Sequence, residues 1–162
     1  MKNRILFVHP NASKKIYQGL STNLSAIEPP IWAALLANHM RAKGYHDVSI
    51  LDCEAENLSP EEVANKIEDF DAKLTVFVVY GQQPSASSQN MQGVHDCLEI
   101  IKQNNPKRKV LLTGLYPSAV SRKTMIDEKT DFVCQGEGPR TITALMQVSN
   151  LEEPTQLEKV PG

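Results

Sequence analysis

A chain of 162 residues, 41% hydrophobic and 22% charged, is long enough to close one core of ordinary size, and its formal net charge of −2 gives no electrostatic reason to expect a nucleic acid or an anionic membrane surface as partner. Its apolar runs fall far short of the ~20 residues a bilayer span requires. The chain enters a strand pattern within its first few residues, which predicts no secretory leader and a cytoplasmic location. Cys53, Cys97 and Cys134 are odd in number and far apart, a pattern of reduced thiols rather than a disulfide framework, with no metal-ligand spacing.

In chain order the pattern is strand then helix, five times. Arg4 to Val8 is an unbroken apolar strand, as expected for burial on both faces. A polar stretch from Pro10 to Ile27 reads as a long loop of the kind that is usually functional or disordered. Glu28-Pro29-Pro30 opens a first helix whose predicted inward residues are Ile31, Leu35, Leu36, His39 and Met40, with Gly44 ending it. Val48 to Leu51 is the second strand, with Asp52 at its tip. Ser59, Pro60 and Glu62 have capping-box spacing at the start of a second helix that turns Val63, Ile67 and Phe70 inward.

Leu74 to Val79 is the most β-branched run and is expected at the centre of the sheet. A third helix is predicted from Ser87 to Asn104, with Met91, Val94, Leu98 and Ile101 inward. Then come a strand at Lys109–Leu112, a helix at Pro117–Asp127, a strand at Phe132–Cys134 and a helix at Pro139–Val148. Residues 1–148 form one predicted domain, and residues 149–162 read as a linker or fraying end. Alternating strands and helices imply an α/β, three-layer sandwich around a parallel sheet with right-handed crossovers. Five strands suggest the flavodoxin-like (Rossmann-like) order 2-1-3-4-5, with its switch point between strands 1 and 3.

Function is expected where the apolar runs stop, because ligands of such sheets sit outside the carboxyl ends of the strands. The runs end at His9-Pro10-Asn11, at Tyr80-Gly81-Gln82-Gln83-Pro84-Ser85, at Thr113-Gly114-Leu115-Tyr116 and at Gln135-Gly136-Glu137-Gly138. These amides, hydroxyls and glycines suit a large, neutral, polar ligand lying on backbone. Ser87 and Ser88 could face a ligand or simply cap the third helix. Gly114 and Gly136 could admit a ligand or simply turn the chain. His9 stands at the switch point, where a metal-ligand role competes with that of a hydrogen-bonded histidine at a strand end; the second is preferred. Neither a phosphate loop of the form G-x-x-x-x-G-K-[ST] nor a G-x-S-x-G elbow is present, and no catalytic residues are assigned.

Four segments in this order, Ile5-Leu6-Phe7-Val8-His9-Pro10, Glu28-Pro29-Pro30-Ile31-Trp32-Ala33-Ala34-Leu35-Leu36-Ala37, Val48-Ser49-Ile50-Leu51-Asp52 and Asp131-Phe132-Val133-Cys134-Gln135-Gly136-Glu137-Gly138, resemble the N-terminal cobalamin-binding domain of B12-dependent radical SAM enzymes over residues 4–148. The resemblance implies a corrin lying over the carboxyl edge, with its nucleotide tail descending beside the third strand. Pro10 and Asn11 would then face the corrin. Tyr80, Gly81, Gln82, Gln83, Ser85, Ser87 and Ser88 would line the tail and the corrin amides. Thr113, Gly114, Leu115 and Tyr116 would lie beside the tail, and Gln135, Gly136 and Glu137 at the corrin rim.

The D-x-H-x-x-G motif that supplies a cobalt-ligating histidine in mutases is absent, so no lower-ligand histidine is implied. The cysteines also lack the C-x-x-x-C-x-x-C spacing of a 4Fe–4S site. The resemblance therefore implies that S-adenosylmethionine and the cluster belong to a separate C-terminal radical SAM domain in cis, toward which residues 149–162 would lead. In this reading the chain alone is not catalytic. A flavodoxin-like carrier of flavin mononucleotide is the alternative, opposed by the poor phosphate loop Asn11-Ala12-Ser13-Lys14-Lys15; a ligand-free interaction domain is another.

Overall fold

Five apolar runs become five parallel strands: β1 (Ile5–His9), β2 (Val48–Asp52), β3 (Leu74–Val79), β4 (Val110–Gly114) and β5 (Phe132–Val133). The computed structural model describes residues 3–12, 27–81 and 84–162. The strands lie in the order β2-β1-β3-β4-β5, as predicted. β1 is paired on both sides, so its last residue, His9, stands between the ends of β2 and β3, in register with Asp52 of β2.

Alternation along the strands divides the core in two. Ile5, Phe7, Val76, Val78, Tyr80 and Leu111 face the layer formed by α1 (Ile31–Ala42) and α6 (Pro139–Gln147). Leu6, Val8, Phe77, Val79 and Leu112 face α2 (Pro60–Phe70) and α3 (Pro84–Asn104). The capping box of α2 forms as its spacing predicted: Glu62 N–H donates to Ser59 Oγ at 3.2 Å, and Ser59 N–H donates to Glu62 Oε2 at 2.8 Å.

Several elements differ from expectation. In α1 the buried stripe is Ala33, Leu36, Ala37 and Met40, whereas Ile31 and Leu35, predicted inward, are 58% and 56% exposed. The two apolar stripes are adjacent on the helix, and the one carrying the two alanines lets it lie close to the sheet. α3 begins at Pro84, three residues ahead of Ser87, so Ser87 is inside the helix and is not its cap. The single helix expected at Pro117–Asp127 is two, α4 (Leu115–Ala119) and α5 (Ser121–Asp127), broken at Val120.

The segment after Val148, read as a linker or fraying end, is packed. Leu151 is buried, α7 (Pro154–Leu157) forms, and Leu157 and Val160 rest on the α1/α6 side of the core. Thr141 Oγ1 donates to the Pro161 carbonyl at 2.7 Å, tying this tail to the start of α6. Most of the expected loop from Pro10 to Ile27 lies outside the described residues, as do Gln82 and Gln83.

Charged fasteners gather at the amino edge of the sheet. Arg108, 6% exposed, bonds Asp71 at 3.0 Å, Glu68 at 2.8 Å and the Ala72 carbonyl at 3.1 Å. Lys102 bonds Asp131 at 2.6 Å, and Lys73 donates to the carbonyls of Met146 and Val148 at the end of α6. Arg4 bonds Asp47 and the Phe70 carbonyl.

Candidate functional site at the carboxyl edge of the sheet

The opposite edge is built from strand ends and backbone. After β1, Pro10 is buried and the Asn11 carbonyl lies against α3 at Gly93, where a Cβ would stand 2.2 Å from the Asn11 oxygen. Only glycine lets the helix come this near. After β4, Gly114 has φ +142°, and a Cβ there would stand 2.1 Å from the Val79 oxygen at the end of β3. Backbone therefore meets backbone at the centre of the edge.

Ser87 is the fastener of this region. It is fully buried; its hydroxyl donates to the Val79 carbonyl and accepts from the Tyr116 N–H at 3.0 Å. One side chain on α3 thus holds the end of β3 and the start of α4 together. Asn90, one turn further along α3, donates to the Tyr80 carbonyl at 2.8 Å. The Gly136 N–H donates to Ser118 Oγ at 2.8 Å, joining the connections that follow β4 and β5.

On the α1 side the edge opens into a cleft of about 130 Å³, lined by His9, Pro30, Ile31, Trp32, Val78 and Tyr80 among others. Trp32 stacks on Tyr80 with ring centroids 4.6 Å apart and planes 21° apart, within the range that favours aromatic pairs. Tyr80 is buried and Trp32 half exposed. Burial pushes the Tyr80 phenol above its ordinary value; Cys134 and Glu137 add to the rise, and Thr113 partly offsets it.

Two buried polar atoms flank Tyr80. Thr113 Oγ1 is fully buried beside the phenol and acts on it as a hydrogen-bonding neighbour. His9 Nε2 lies 3.5 Å from Glu54 Oε2, without hydrogen-bond geometry, in a residue 8% exposed. Burying such an atom unpaired costs about 1–3 kcal/mol, and exceptions of this kind call for an explanation such as a ligand or water.

Of the residues predicted from sequence, Tyr80, Gly81, Ser87, Thr113, Gly114 and Tyr116 come together around the ends of β3 and β4. Gln135, Gly136 and Glu137 form an exposed outer rim, with Leu115 also exposed; Ser85 and Ser88 lie on the exposed side of the first turns of α3. Sequence reasoning missed Trp32, Gly93, Ser118 and Glu54. Gly93 carried a signal, an isolated glycine inside a helical pattern, which often marks close packing. Ser118 and Glu54 carried none, because their roles depend on contacts between distant loops. Among the described residues no three His, Cys, Asp or Glu side chains converge to hold a metal ion, and no helix is long and apolar enough to cross a membrane.

Comparison with known proteins agrees with this geometry. Residues 17–146 match the family model of the B12 binding domain. The chain is 27% identical over 148 residues to an anaerobic magnesium-protoporphyrin IX monomethyl ester cyclase of Rubrivivax gelatinosus, covering 88% of this chain and 24% of that protein. It is 22% identical over 145 residues to the protein of the same name from Cereibacter sphaeroides, covering 89% and 22%. The chain thus spans about a quarter of the length of these relatives. Among solved structures, the apo form of the cobalamin-dependent S-adenosylmethionine radical enzyme OxsB superposes with a TM-score of 0.56 at 14% identity, over 89% of this chain and 18% of that one, a likeness of fold. With the family model matched along most of its length and the strand order to go with it, this chain belongs to the B12-binding domain family.

Proposed function

We propose that this domain holds cobalamin against the carboxyl edge of its sheet and presents it to a radical SAM catalytic domain. The observation that carries the reading is the buried His9 Nε2, which has no hydrogen bond among the described residues, beside an edge where the paired ends of β3 and β4 meet at Val79 and Gly114. The donor set fits the cofactor. The edge offers hydroxyls, backbone and an aromatic wall, and the ligand is a large molecule whose rim is rich in amides.

When bound, cobalamin supplies the cobalt centre on which methyl transfer or a radical rearrangement would depend. The chain's own part is to bind and orient. Thr113 and Tyr80 would line the buried part of the ligand, Pro10 and Asn11 would meet it after β1, and Gln135, Gly136 and Glu137 would border its rim. Gln82, Gln83, Ser85 and Ser88 belong to the same proposal, on the connection after β3 and the opening of α3. No histidine need serve as the lower ligand of cobalt. The catalytic domain, with its S-adenosylmethionine and 4Fe–4S cluster, would lie C-terminal in the same polypeptide. The short share of the relatives that this chain spans and the fold likeness to OxsB support that arrangement.

The test uses the single tryptophan of the chain, Trp32, which stands at the cleft. Titration with hydroxocobalamin should quench its fluorescence, and about one equivalent of corrin absorbance should survive desalting. No retained corrin together with unchanged Trp32 emission would refute the proposal, and saturable binding of flavin mononucleotide in its place would favour the electron-carrier reading.

A further inference from the structure

We infer that His9 donates a hydrogen bond through Nε2 to a carbonyl oxygen of the bound cofactor, and does not serve as an axial ligand of its metal. The inference rests on the cobalamin reading above. His9 ends β1 at the switch point of the sheet, paired between β2 and β3, and its side chain points to the α1 face with those of Ile5 and Phe7. Its imidazole lines the cleft beneath Pro30, Trp32 and Tyr80. A purely structural residue there could be apolar, as its neighbours on that face are; an imidazole nitrogen kept buried with no hydrogen bond among the described residues is a group awaiting one.

Glu54 decides which kind of partner it awaits. Its carboxylate stands 3.5 Å from Nε2, and Glu54 is itself only 18% exposed. An ionised carboxylate only accepts, so it favours the tautomer with the proton on Nε2. That nitrogen then has no lone pair to give a metal. The separation is too long for a good hydrogen bond, which leaves the N–H free to turn to an acceptor brought by the ligand. Asp52 at the end of β2 and Glu28 at the mouth of the cleft, charged groups near this strand end among the described residues, are also acids and press in the same direction. A carboxamide carbonyl, the group that recurs around a corrin, is the acceptor this donor fits.

The experiment compares the full chain with His9→Ala and His9→Gln, each titrated with hydroxocobalamin and followed by visible absorbance. In parallel, cob(II)alamin-loaded wild type made with 15N-histidine is examined by electron paramagnetic resonance. His9→Ala should weaken binding about tenfold or more. His9→Gln, which keeps an N–H donor, should stay within about threefold of wild type, and the resonance should carry no splitting from a histidine nitrogen. Circular dichroism checks that both variants are folded. Wild-type affinity in His9→Ala would overturn the inference while leaving the cobalamin reading intact. A 15N splitting that disappears in His9→Ala would overturn it in favour of axial ligation. Failure of the wild type itself to bind would overturn both.

Discussion

Ser87 shows how one hydroxyl can do the work of a loop. It satisfies a carbonyl at the end of β3 and an N–H at the start of α4, both in the packed interior of the edge. Ser87→Ala takes the shared partner away from both backbone groups. We expect a loss of about 1–3 kcal/mol, the cost of unsatisfied buried backbone, read as a lower urea midpoint at unchanged slope. Exposed Ser88 next to it should tolerate alanine within about 0.5 kcal/mol. The sequence pointed to Ser87 but for the wrong reason. A serine near a helix start reads as a cap, and nothing local says that α3 begins a turn earlier or that Tyr116, 29 residues on, will come to lie against it. Gly114 was legible as special for its place after an apolar run; that a Cβ there would strike the Val79 backbone on the neighbouring strand was not.

Among the elements, α1 is the informative case. Its 3.6-residue periodicity was plain, and Leu36 and Met40 are buried as predicted, but the larger side chains of Ile31 and Leu35 drew the predicted face one stripe too far. Packing chose the stripe with Ala33 and Ala37, which brings the helix onto the sheet through Leu36 and Met40. The consequence is a sharp contrast between neighbours. Leu36→Ala should cost about 2–5 kcal/mol by opening a cavity, whereas Leu35→Ala should change stability by no more than about 0.5 kcal/mol; thermal unfolding of the two variants side by side decides it. By comparison α2 was readable almost to the residue, because its capping box, proline and apolar face are all encoded within twelve neighbouring positions.

At the scale of the whole molecule, the layer architecture and strand order followed from alternation and crossover handedness, which act on every sequence of this pattern. The packed tail did not, since Leu151, Leu157 and Val160 are too sparse to show periodicity and are recruited by an existing core. The buried acids of that core also set a pH limit. Burial, with the charges of Cys97, Asp52 and Glu56 behind it, pushes the Cys53 thiol far above its ordinary 9.0, and burial raises Tyr80 above 10.0. Both stay protonated in the folded chain where the unfolded chain begins to ionise. Their contribution is therefore complete below about pH 8, where the unfolded thiol and phenol are still protonated, and is lost progressively as pH rises beyond it. The melting temperature should fall between about pH 8.5 and about pH 10.5, and Cys53→Ala should flatten that fall.

The distribution of charge adds one more property. The ion pairs and charge-assisted bonds of Arg108, Lys102, Lys73 and Arg4 fasten the amino edge, while the carboxyl edge is held by a serine hydroxyl, an asparagine and apposed backbone. Charge-assisted bonds thus fasten one end of the sheet and neutral ones the other. An edge held by neutral bonds should keep its shape as salt is raised, whereas the more exposed ion pairs of the opposite edge weaken by screening.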